Sequence, residues 1–160
     1  MNKIQLFNKI KLFAYDFDGV MTDNKVYLDE NGLESVKVNR GDGLGVIELS
    51  ERGYKQIIIS TEKNKVVQKR AKKLKIEAFT GVKNKATQLK IYCKKNKIKL
   101  DEVCFVGNDT NDIEAMKMCK FSFCPKDADI KVKKISKKII DINGGNGVVR
   151  EILNYIFYTK

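Results

Sequence analysis

The chain has 160 residues, a net charge of +12, 42% hydrophobic residues and no histidine. Its length suits one domain over residues 1–160, and the lack of histidine excludes Ser-His-Asp catalysis, Cys-His catalysis and histidine-bound metals. No apolar run approaches the roughly 18 residues of a membrane span. The N-terminus lacks the continuous apolar stretch of a signal peptide, so we predict a cytoplasmic protein with no membrane partner.

The positive charge comes almost entirely from lysines that are spread along helix-like segments. These segments contain neither interleaved aromatic residues nor a nucleic-acid-binding motif. We therefore interpret the lysines as solvated helix faces and predict no nucleic-acid partner. Such a charge would still help to attract an anionic substrate.

The first predicted strand covers residues 12–15 and ends in the sequence Asp16-Phe17-Asp18-Gly19. Side chains two residues apart in an extended chain point the same way, so Asp16 and Asp18 should face one spot beyond the strand. Two converging carboxylates repel each other unless a cation lies between them, and an all-oxygen site suits Mg²⁺. An ordinary polar turn explains these four residues about as well, so the metal site depends on what later strands bring to this place.

The next segments predict a hairpin and then a helix. Two short alternating runs lie between residues 25 and 38 and surround Asn31-Gly32. This dipeptide is the strongest short hairpin signal. A helix follows from about Asp42 to Gly53.

The rest of the chain alternates between strands and helices. The predicted strands are 56–60, 76–79, 102–107, 121–124 and 138–141, and the predicted helices are 63–73, 85–95, 112–118, 128–134 and 148–157. One more short helix is predicted at 3–9. This alternation predicts an α/β fold, a Rossmann-like three-layer sandwich with a central parallel sheet and a small β-hairpin flap.

Polar residues that end the predicted strands form the candidate site, because ligands bind such sheets beyond the carboxyl ends of the strands. They are Asp16, Asp18, Ser60, Thr61, Asn108, Asp109 and Asp112, joined by Lys85 at the start of a helix. The carboxylates of the acidic cluster would repel one another without a cation such as Mg²⁺. The hydroxyl of Ser60 and the ammonium of Lys85 are suited to binding phosphate oxygens. A carboxylate beside a phosphoryl group can attack phosphorus to form an aspartyl-phosphate. A second carboxylate can protonate the leaving alkoxide and then deprotonate water.

The same residues resemble the four motifs of the haloacid dehalogenase superfamily: DFDGVMTD, the strand ending in Ser60, Lys85 and GNDTND. The resemblance extends over nearly the whole chain to a capless branch of 3-deoxy-2-keto sugar-acid phosphatases, through GDGLG at 41–45, Arg70 and GGNGVVRE at 144–151. That branch includes 3-deoxy-manno-octulosonate 8-phosphate phosphatases and acylneuraminate 9-phosphate phosphatases. It also includes a similar domain of some acylneuraminate cytidylyltransferases.

The resemblance implies a role for each motif residue. Asp16 would be the nucleophile and Asp18 the general acid and base. Ser60 and Lys85 would bind the phosphate. The implied Mg²⁺ ligands are Asp16, the Asp18 carbonyl and Asp109, with Asp112 in support.

Two departures from the branch bear on the substrate. Octulosonate phosphatases usually carry Thr-Gly-Arg where this chain has Ser60-Thr61-Glu62. This stretch resembles the nonulosonate relatives, so we predict that Glu62 faces the sugar. An acylneuraminate 9-phosphate is then slightly favoured as substrate, with octulosonate 8-phosphate as the alternative.

The second departure concerns Arg40, which stands one position earlier in the sequence than the corresponding arginine of relatives. The predicted substrate-binding residues are Arg40, Thr61, Glu62, Arg70, Asn108 and Arg150.

Two alternatives come from other classes of protein. A phosphorelay receiver domain also combines an acidic cluster, Mg²⁺ and a lysine on a parallel sheet, but its lysine follows both acidic strands. Here Lys85 precedes the second acidic strand, which argues against a receiver. A non-catalytic assembly domain is the other alternative, against which the complete set of motif residues argues.

We also predict a homo-oligomer, most simply a tetramer. Chemistry through an aspartyl-phosphate benefits from the exclusion of bulk water, yet the chain has no room for a cap domain between its motifs. The hairpin is too apolar to stand alone in water. Packing of hairpins from several subunits would bury it over an adjoining site, and the glycine-rich tail with Arg150 could reach a site as well.

Overall fold

The computed structural model of the chain describes residues 7–158. Its main sheet has six strands, β1 (Leu12–Tyr15), β4 (Lys55–Ile59), β5 (Glu77–Phe79), β6 (Val103–Val106), β7 (Phe121–Pro125) and β8 (Lys138–Ile140). All neighbouring strands of this sheet are parallel, and their order is β5-β4-β1-β6-β7-β8. The strand β1 therefore lies in the interior of the sheet, between the two halves of the chain.

Helices cover both faces of this sheet. They are α1 (Arg40–Glu51), α2 (Lys65–Leu74), α3 (Lys85–Asn96), α4 (Ile113–Met118), α5 (Ile130–Ile135) and α6 (Val148–Phe157). The helices α1, α2 and α6 contribute to one buried cluster and α3, α4 and α5 to the other. Short 3₁₀ turns occur at Leu100–Glu102 and Thr110–Asp112.

The sequence of β1 explains why both faces are covered. Leu12 and Ala14 belong to one core cluster, whereas Phe13 and Tyr15 belong to the other. Alternate side chains of a strand point to opposite faces, so a strand that is apolar throughout needs a partner layer on each side. The predicted three-layer α/β sandwich is thus confirmed.

The hairpin flap is present, but its paired part is shorter than the two predicted runs. Strands β2 (Tyr27–Leu28) and β3 (Glu34–Ser35) pair antiparallel, and one isolated bridge joins Thr22 to Val38 at the base. The carboxylate of Asp29 organises the turn by accepting from the amides of Asn31 and Leu33. Tyr27 and Leu33 are 66% and 71% exposed, so the tip of the flap packs little apolar surface on its own subunit, whereas Val36 and Val38 at its base pack against the core.

Two helix boundaries differ from the prediction because of capping residues. The helix α1 begins at Arg40, two residues before the predicted start, because the side chain of Asn39 accepts from the amide of Gly41. The helix α5 begins at Ile130 because Asp129 caps it in the same way through the amide of Lys131. Asparagine and aspartate are favoured caps. The helix predicted at 3–9 lies mostly outside the described residues.

Across residues 7–158, no helix combines the length and the apolar character that a membrane crossing needs.

Candidate active site

The predicted catalytic residues meet at the carboxyl end of β1. Tyr15 pairs with Ile58 of β4 on one side and with Val106 of β6 on the other. The amide of Asp16 continues this pairing, because it donates to the carbonyl of Val106 at 2.8 Å. Residues that directly follow β1, β4 and β6 therefore emerge side by side, as expected where strand order switches in a parallel sheet.

A buried lysine links two of the aspartates. The ammonium of Lys85 lies 2.6 Å from Oδ1 of Asp16 and 2.7 Å from Oδ1 of Asp112. All three side chains are buried. Lys85 is the first residue of α3, whose N-cap is the neighbouring Asn84, and this placement aims the lysine across the top of the sheet.

One ammonium does not neutralise two buried carboxylates. Burial and the nearby carboxylate of Asp112 raise the pKa of Asp16 to about 8, although Lys85 lowers it. Burial alone would lower the pKa of Lys85, but Asp16 and Asp112 outweigh it and raise that pKa above its ordinary value. The site is therefore short of positive charge, which is the electrostatic condition for a bound cation.

Three groups at this point could supply oxygen ligands. With its amide nitrogen facing them, Asn108 donates to the carbonyl of Asp18 at 2.8 Å and to Oδ2 of Asp16 at 3.1 Å. With the amide turned, Oδ1 of Asn108 faces the same two oxygens. Adjacent ligands of octahedral Mg²⁺, each about 2.1 Å from the metal, lie about 3.0 Å apart. The two distances from Asn108 are thus compatible with adjacent ligands of a small divalent cation.

The structure brings Asn108, and not Asp109, to this point. Asp109 is exposed, and its Oδ1 accepts from the amide of Thr110 at 2.6 Å. Asp112 also has both oxygens occupied, one by Lys85 and the other by the amides of Asn108 and Asp109. Asp112 thus holds the lysine and the loop in place. Within residues 7–158, no three Cys, Asp or Glu side chains cluster closely enough to hold a metal by themselves.

Asp18 lies on the solvent side of this cluster and is half-buried. The hydroxyl of Thr22, a residue the sequence analysis did not select, donates to Oδ1 of Asp18 at 3.0 Å and accepts from the amide of Gly19. Burial raises the pKa of Asp18 above the ordinary value, although Thr22 opposes the shift. Gly19 has φ +82, and a Cβ there would overlap Asn108, so the turn requires glycine.

Ser60 follows β4 and is buried, whereas Thr61 and Glu62 are exposed. The hydroxyl of Ser60 accepts from the amide of Glu62 at 3.1 Å. Glu62 and Asp18 line a cleft of about 200 Å³ between the flap and the start of α2. The cleft also contains Asn24, Glu34 and Asn64, which the sequence analysis missed because they lie in the flap and in a loop.

The three predicted arginines do not line this cleft. Arg40 is exposed at the first turn of α1. Arg70 is partly buried and donates to the carbonyl of Asn39 at 2.8 Å. The side chain of Arg150 borders a separate depression on the outer face of α1, beside Leu44 and Tyr158.

The GDGLG stretch and the glycine-rich tail have a structural contact that the sequence did not reveal. Asp42 is buried in α1, and its Oδ1 accepts from the amides of Val149 and Arg150 at 2.7 and 3.3 Å. It therefore caps α6 from another helix. Just before α6, a Cβ on Gly144 or Gly145 would overlap the backbone of residues 19–23. The tail is thus packed directly behind the loop that carries Asp18.

The chain is similar to known proteins along most of its length. A model of the family described as haloacid dehalogenase-like hydrolase matches residues 46–152. The chain is 29% identical over 157 residues to the 3-deoxy-D-manno-octulosonate 8-phosphate phosphatase of Haemophilus influenzae, and the match covers 98% of this chain and 87% of that protein. It is 26% identical to N-acylneuraminate cytidylyltransferase B of Danio rerio, where the match covers 94% of this chain but 37% of that protein.

A solved structure supports the same relationship. The chain matches the crystal structure of the 3-deoxy-D-manno-octulosonate 8-phosphate phosphatase from Moraxella catarrhalis in complex with magnesium, phosphate and KDO, with a TM-score of 0.92. The two sequences are 32% identical, and the match covers 96% of this chain and 88% of that one. The family match contradicts the receiver-domain alternative, and it spans more than half of the sequence. The chain therefore belongs to the family of haloacid dehalogenase-like hydrolases.

Proposed function

We propose that this protein is a divalent-metal-dependent phosphatase that hydrolyses the terminal phosphate ester of a 3-deoxy-2-keto sugar acid. The observation that carries the proposal is the position of Asp16. Its carboxylate lies between the ammonium of Lys85 on one side and the oxygen-bearing groups of Asp18 and Asn108 on the other. Such a site suits a carboxylate nucleophile for phosphorus.

Asp16 is the proposed nucleophile. The amide of Phe17 donates to Oδ1 of Asp16 at 2.7 Å, and Lys85 contacts the same atom, so the carboxylate has one fixed orientation. Attack on phosphorus forms an aspartyl-phosphate and releases the alcohol. Lys85 and the hydroxyl of Ser60 are the proposed phosphate contacts, because an ammonium at the start of α3 and a hydroxyl at the end of β4 suit the phosphoryl oxygens.

The proposed metal ligands are the carboxylate of Asp16, the main-chain carbonyl of Asp18 and the amide oxygen of Asn108. When bound there, Mg²⁺ would offset the negative charge that the phosphoryl group and Asp16 bring together. This ligand set replaces the predicted Asp109 with its neighbour and leaves Asp112 to hold Lys85.

Asp18 is the proposed general acid and base. A raised pKa keeps more of this carboxyl protonated near neutral pH, which is the form that protonates a leaving alkoxide. After the alcohol leaves, the same carboxylate can accept a proton from the water that attacks the aspartyl-phosphate. Thr22 fixes the orientation of Asp18 through its hydroxyl.

Octulosonate 8-phosphate is the proposed substrate, and this reverses the order of preference predicted from the sequence. The support is the extent of the match to proteins named as octulosonate phosphatases. An acylneuraminate 9-phosphate remains the second candidate, because Glu62 lies in the cleft beside Asp18 where octulosonate phosphatases usually carry arginine. Turnover of the two sugar phosphates by the purified protein, with and without Mg²⁺, tests the proposal directly.

We also propose that the protein acts as a homo-oligomer, most simply a tetramer. The flap exposes Val26, Tyr27, Leu28 and Leu33, each more than half exposed. An isolated two-stranded hairpin is only marginally stable, so a partner surface would be needed to bury these side chains. A second copy of this chain would also shield the cleft that lies beneath the flap.

A further inference from the structure

The cleft beside Asp18 carries a charge opposite to that of the rest of the protein. The whole chain has 32 lysine and arginine residues against 20 aspartate and glutamate residues. The cleft nevertheless has three acidic side chains in its lining, those of Asp18, Glu34 and Glu62, and no lysine or arginine among the described residues that line it. Composition alone would predict the reverse.

Glu34 and Glu62 approach the cleft from different elements. Glu34 belongs to β3 of the flap, whereas Glu62 lies in the loop between β4 and α2. The amides of Asn24 and Asn64 complete the polar part of the lining. Glu34 lines the same cleft as Asp18, the proposed acid.

The position of the cleft identifies what occupies it. Because Asp18 protonates the leaving oxygen in the proposed reaction, the alcohol part of the ester must extend from Asp18, and the cleft opens there. Carboxylates and amide oxygens accept hydrogen bonds, so they favour hydroxyl or ammonium groups on the alcohol. The carboxylates of Glu34 and Glu62 also repel another carboxylate that approaches them.

We infer that Glu34 is a specificity-determining residue, which together with Glu62 selects phosphate esters with hydrogen-bond donors next to the ester and rejects esters with a carboxylate there. The inference rests on the proposed phosphatase function and defines its substrate class more closely. A sugar-acid phosphate satisfies it when hydroxyl groups lie next to the phosphate and the carboxylate lies at the far end. Octulosonate 8-phosphate has this arrangement, because its carboxylate is on the first carbon and its phosphate on the last.

Three small esters of equal length test the inference. They are 2-hydroxyethyl phosphate, phosphoethanolamine and 2-phosphoglycolate, which place a hydroxyl, an ammonium or a carboxylate next to the same ester. For the wild-type protein with Mg²⁺, we expect kcat/KM for 2-phosphoglycolate to be at least about tenfold below that for 2-hydroxyethyl phosphate, since like charges at close range repel even when partly solvated.

The variants Glu34→Gln and Glu34→Lys distinguish effects of the cleft on substrate preference from effects of the phosphate contacts. We expect the ratio of kcat/KM for 2-phosphoglycolate to that for 2-hydroxyethyl phosphate to rise by roughly three- to tenfold in Glu34→Gln and further in Glu34→Lys. The ratio for phosphoethanolamine should fall in both. Glu62→Gln is an independent second variant with the same expected direction. Glu30→Gln, an exposed flap residue outside the cleft lining, is the matched control and should keep the wild-type ratios.

An unchanged ratio in Glu34→Gln, or the same change in Glu30→Gln, overturns the inference while the phosphatase proposal stands. Inactivity of the folded wild type towards all three esters and towards an aryl phosphate contradicts the phosphatase proposal, and the inference with it. If the small esters turn over too slowly to measure while the aryl phosphate is hydrolysed, their inhibition constants against aryl phosphate hydrolysis are compared between the same variants. The same directions of change are expected, and the same outcomes overturn the inference.

Discussion

One terminal atom of the Asn108 amide lies 3.1 Å from Oδ2 of Asp16. In the proposed metal site, the third ligand is therefore a neutral amide, whereas the exposed carboxylate of the adjacent Asp109 accepts from the amide of Thr110 in its own loop. Asn108→Asp should therefore strengthen Mg²⁺ binding by roughly tenfold, because added ligand charge raises cation affinity. Asn108→Ala should weaken it.

Isothermal titration with Mg²⁺ measures this effect without turnover. Asp109→Asn is the control, and it should bind Mg²⁺ within about twofold of the wild type. A large loss of affinity in Asp109→Asn, with little effect of Asn108→Ala, would restore Asp109 as the ligand.

Loss of the ion pairs that Lys85 makes with Asp16 and Asp112 should markedly lower the free energy of unfolding of the metal-free protein. In Lys85→Met the buried carboxylates of Asp16 and Asp112 lose their shared partner, and an unpaired buried charge costs about 3–5 kcal/mol. The same substitution at the exposed Lys83 should cost less than about 0.5 kcal/mol. Urea unfolding in the presence of EDTA at pH 7 measures both.

This cost should depend on pH with a definite sign. Carboxyl groups whose pKa is raised by folding bind more protons in the folded state than in the unfolded state, so their contribution to stability is lost as pH rises. Lys85 lowers the pKa of Asp16, so its removal should raise that pKa above about 8, and the deficit of Lys85→Met relative to the wild type should shrink as pH falls from about 9 to about 7. A deficit that grows over this range would show that the lysine is not compensating these carboxylates.

Asp42 should make the stability of the protein pH-dependent, because its side chain is buried. Burial raises its pKa to about 6 in the folded protein, although the amides of Arg150 and Val149 and the charge of Arg70 lower it. An exposed aspartate has a pKa of about 3.9. Because the folded pKa is the higher one, stability is fully present below about pH 4 and is lost as pH rises through about 6.

In Asp42→Asn, the side-chain oxygen can still accept hydrogen bonds from the amides of Val149 and Arg150, but the side chain no longer titrates. We expect the wild type to lose up to about 3 kcal/mol of unfolding free energy relative to this variant between pH 4 and pH 7. Denaturant unfolding at the two pH values gives the difference. Equal pH dependence of the two proteins would mean that Asp42 does not titrate in this range.

The flap should hold the proposed assembly together. Replacing Leu28 and Leu33 by lysine introduces charge at two of its most exposed apolar positions and should leave a monomer. The control is Ile130→Lys, which changes an equally exposed apolar residue on α5 and should keep the wild-type mass. Light scattering after size-exclusion chromatography measures the mass, and a wild-type protein that is monomeric and fully active contradicts the proposed oligomer.

The fold and the first half of the site were predictable because they follow from local rules. An apolar run that ends in Asp16-Phe17-Asp18-Gly19 has few ways to fold other than as a buried strand whose polar end lies at the edge of the sheet. Lys85 was predictable because it opens a helix after a short strand. These features depend on neighbours in the sequence, and tertiary contacts only confirm them.

The remaining features depend on tertiary contacts. Whether Asn108 or Asp109 faces Asp16 is decided by the loop that Asp112 holds through backbone amides, and no pattern in GNDTND reveals it. The role of Asp42 depends on α6, which is more than 100 residues away in the chain. The acidic cleft depends on how the flap folds back over α2, so Glu34 carries no local signal.

The most direct test of the proposed mechanism is to trap the covalent intermediate on Asp16. Wild-type protein with Mg²⁺ and an excess of aryl phosphate would be quenched in acid during turnover and digested, and its peptides would be weighed by mass spectrometry. We expect the peptide that contains Asp16 to gain the mass of one phosphoryl group, and Asp16→Asn to show neither the gain nor turnover. Turnover by Asp16→Asn at the wild-type rate, or a phosphoryl group on another residue, would contradict Asp16 as the nucleophile.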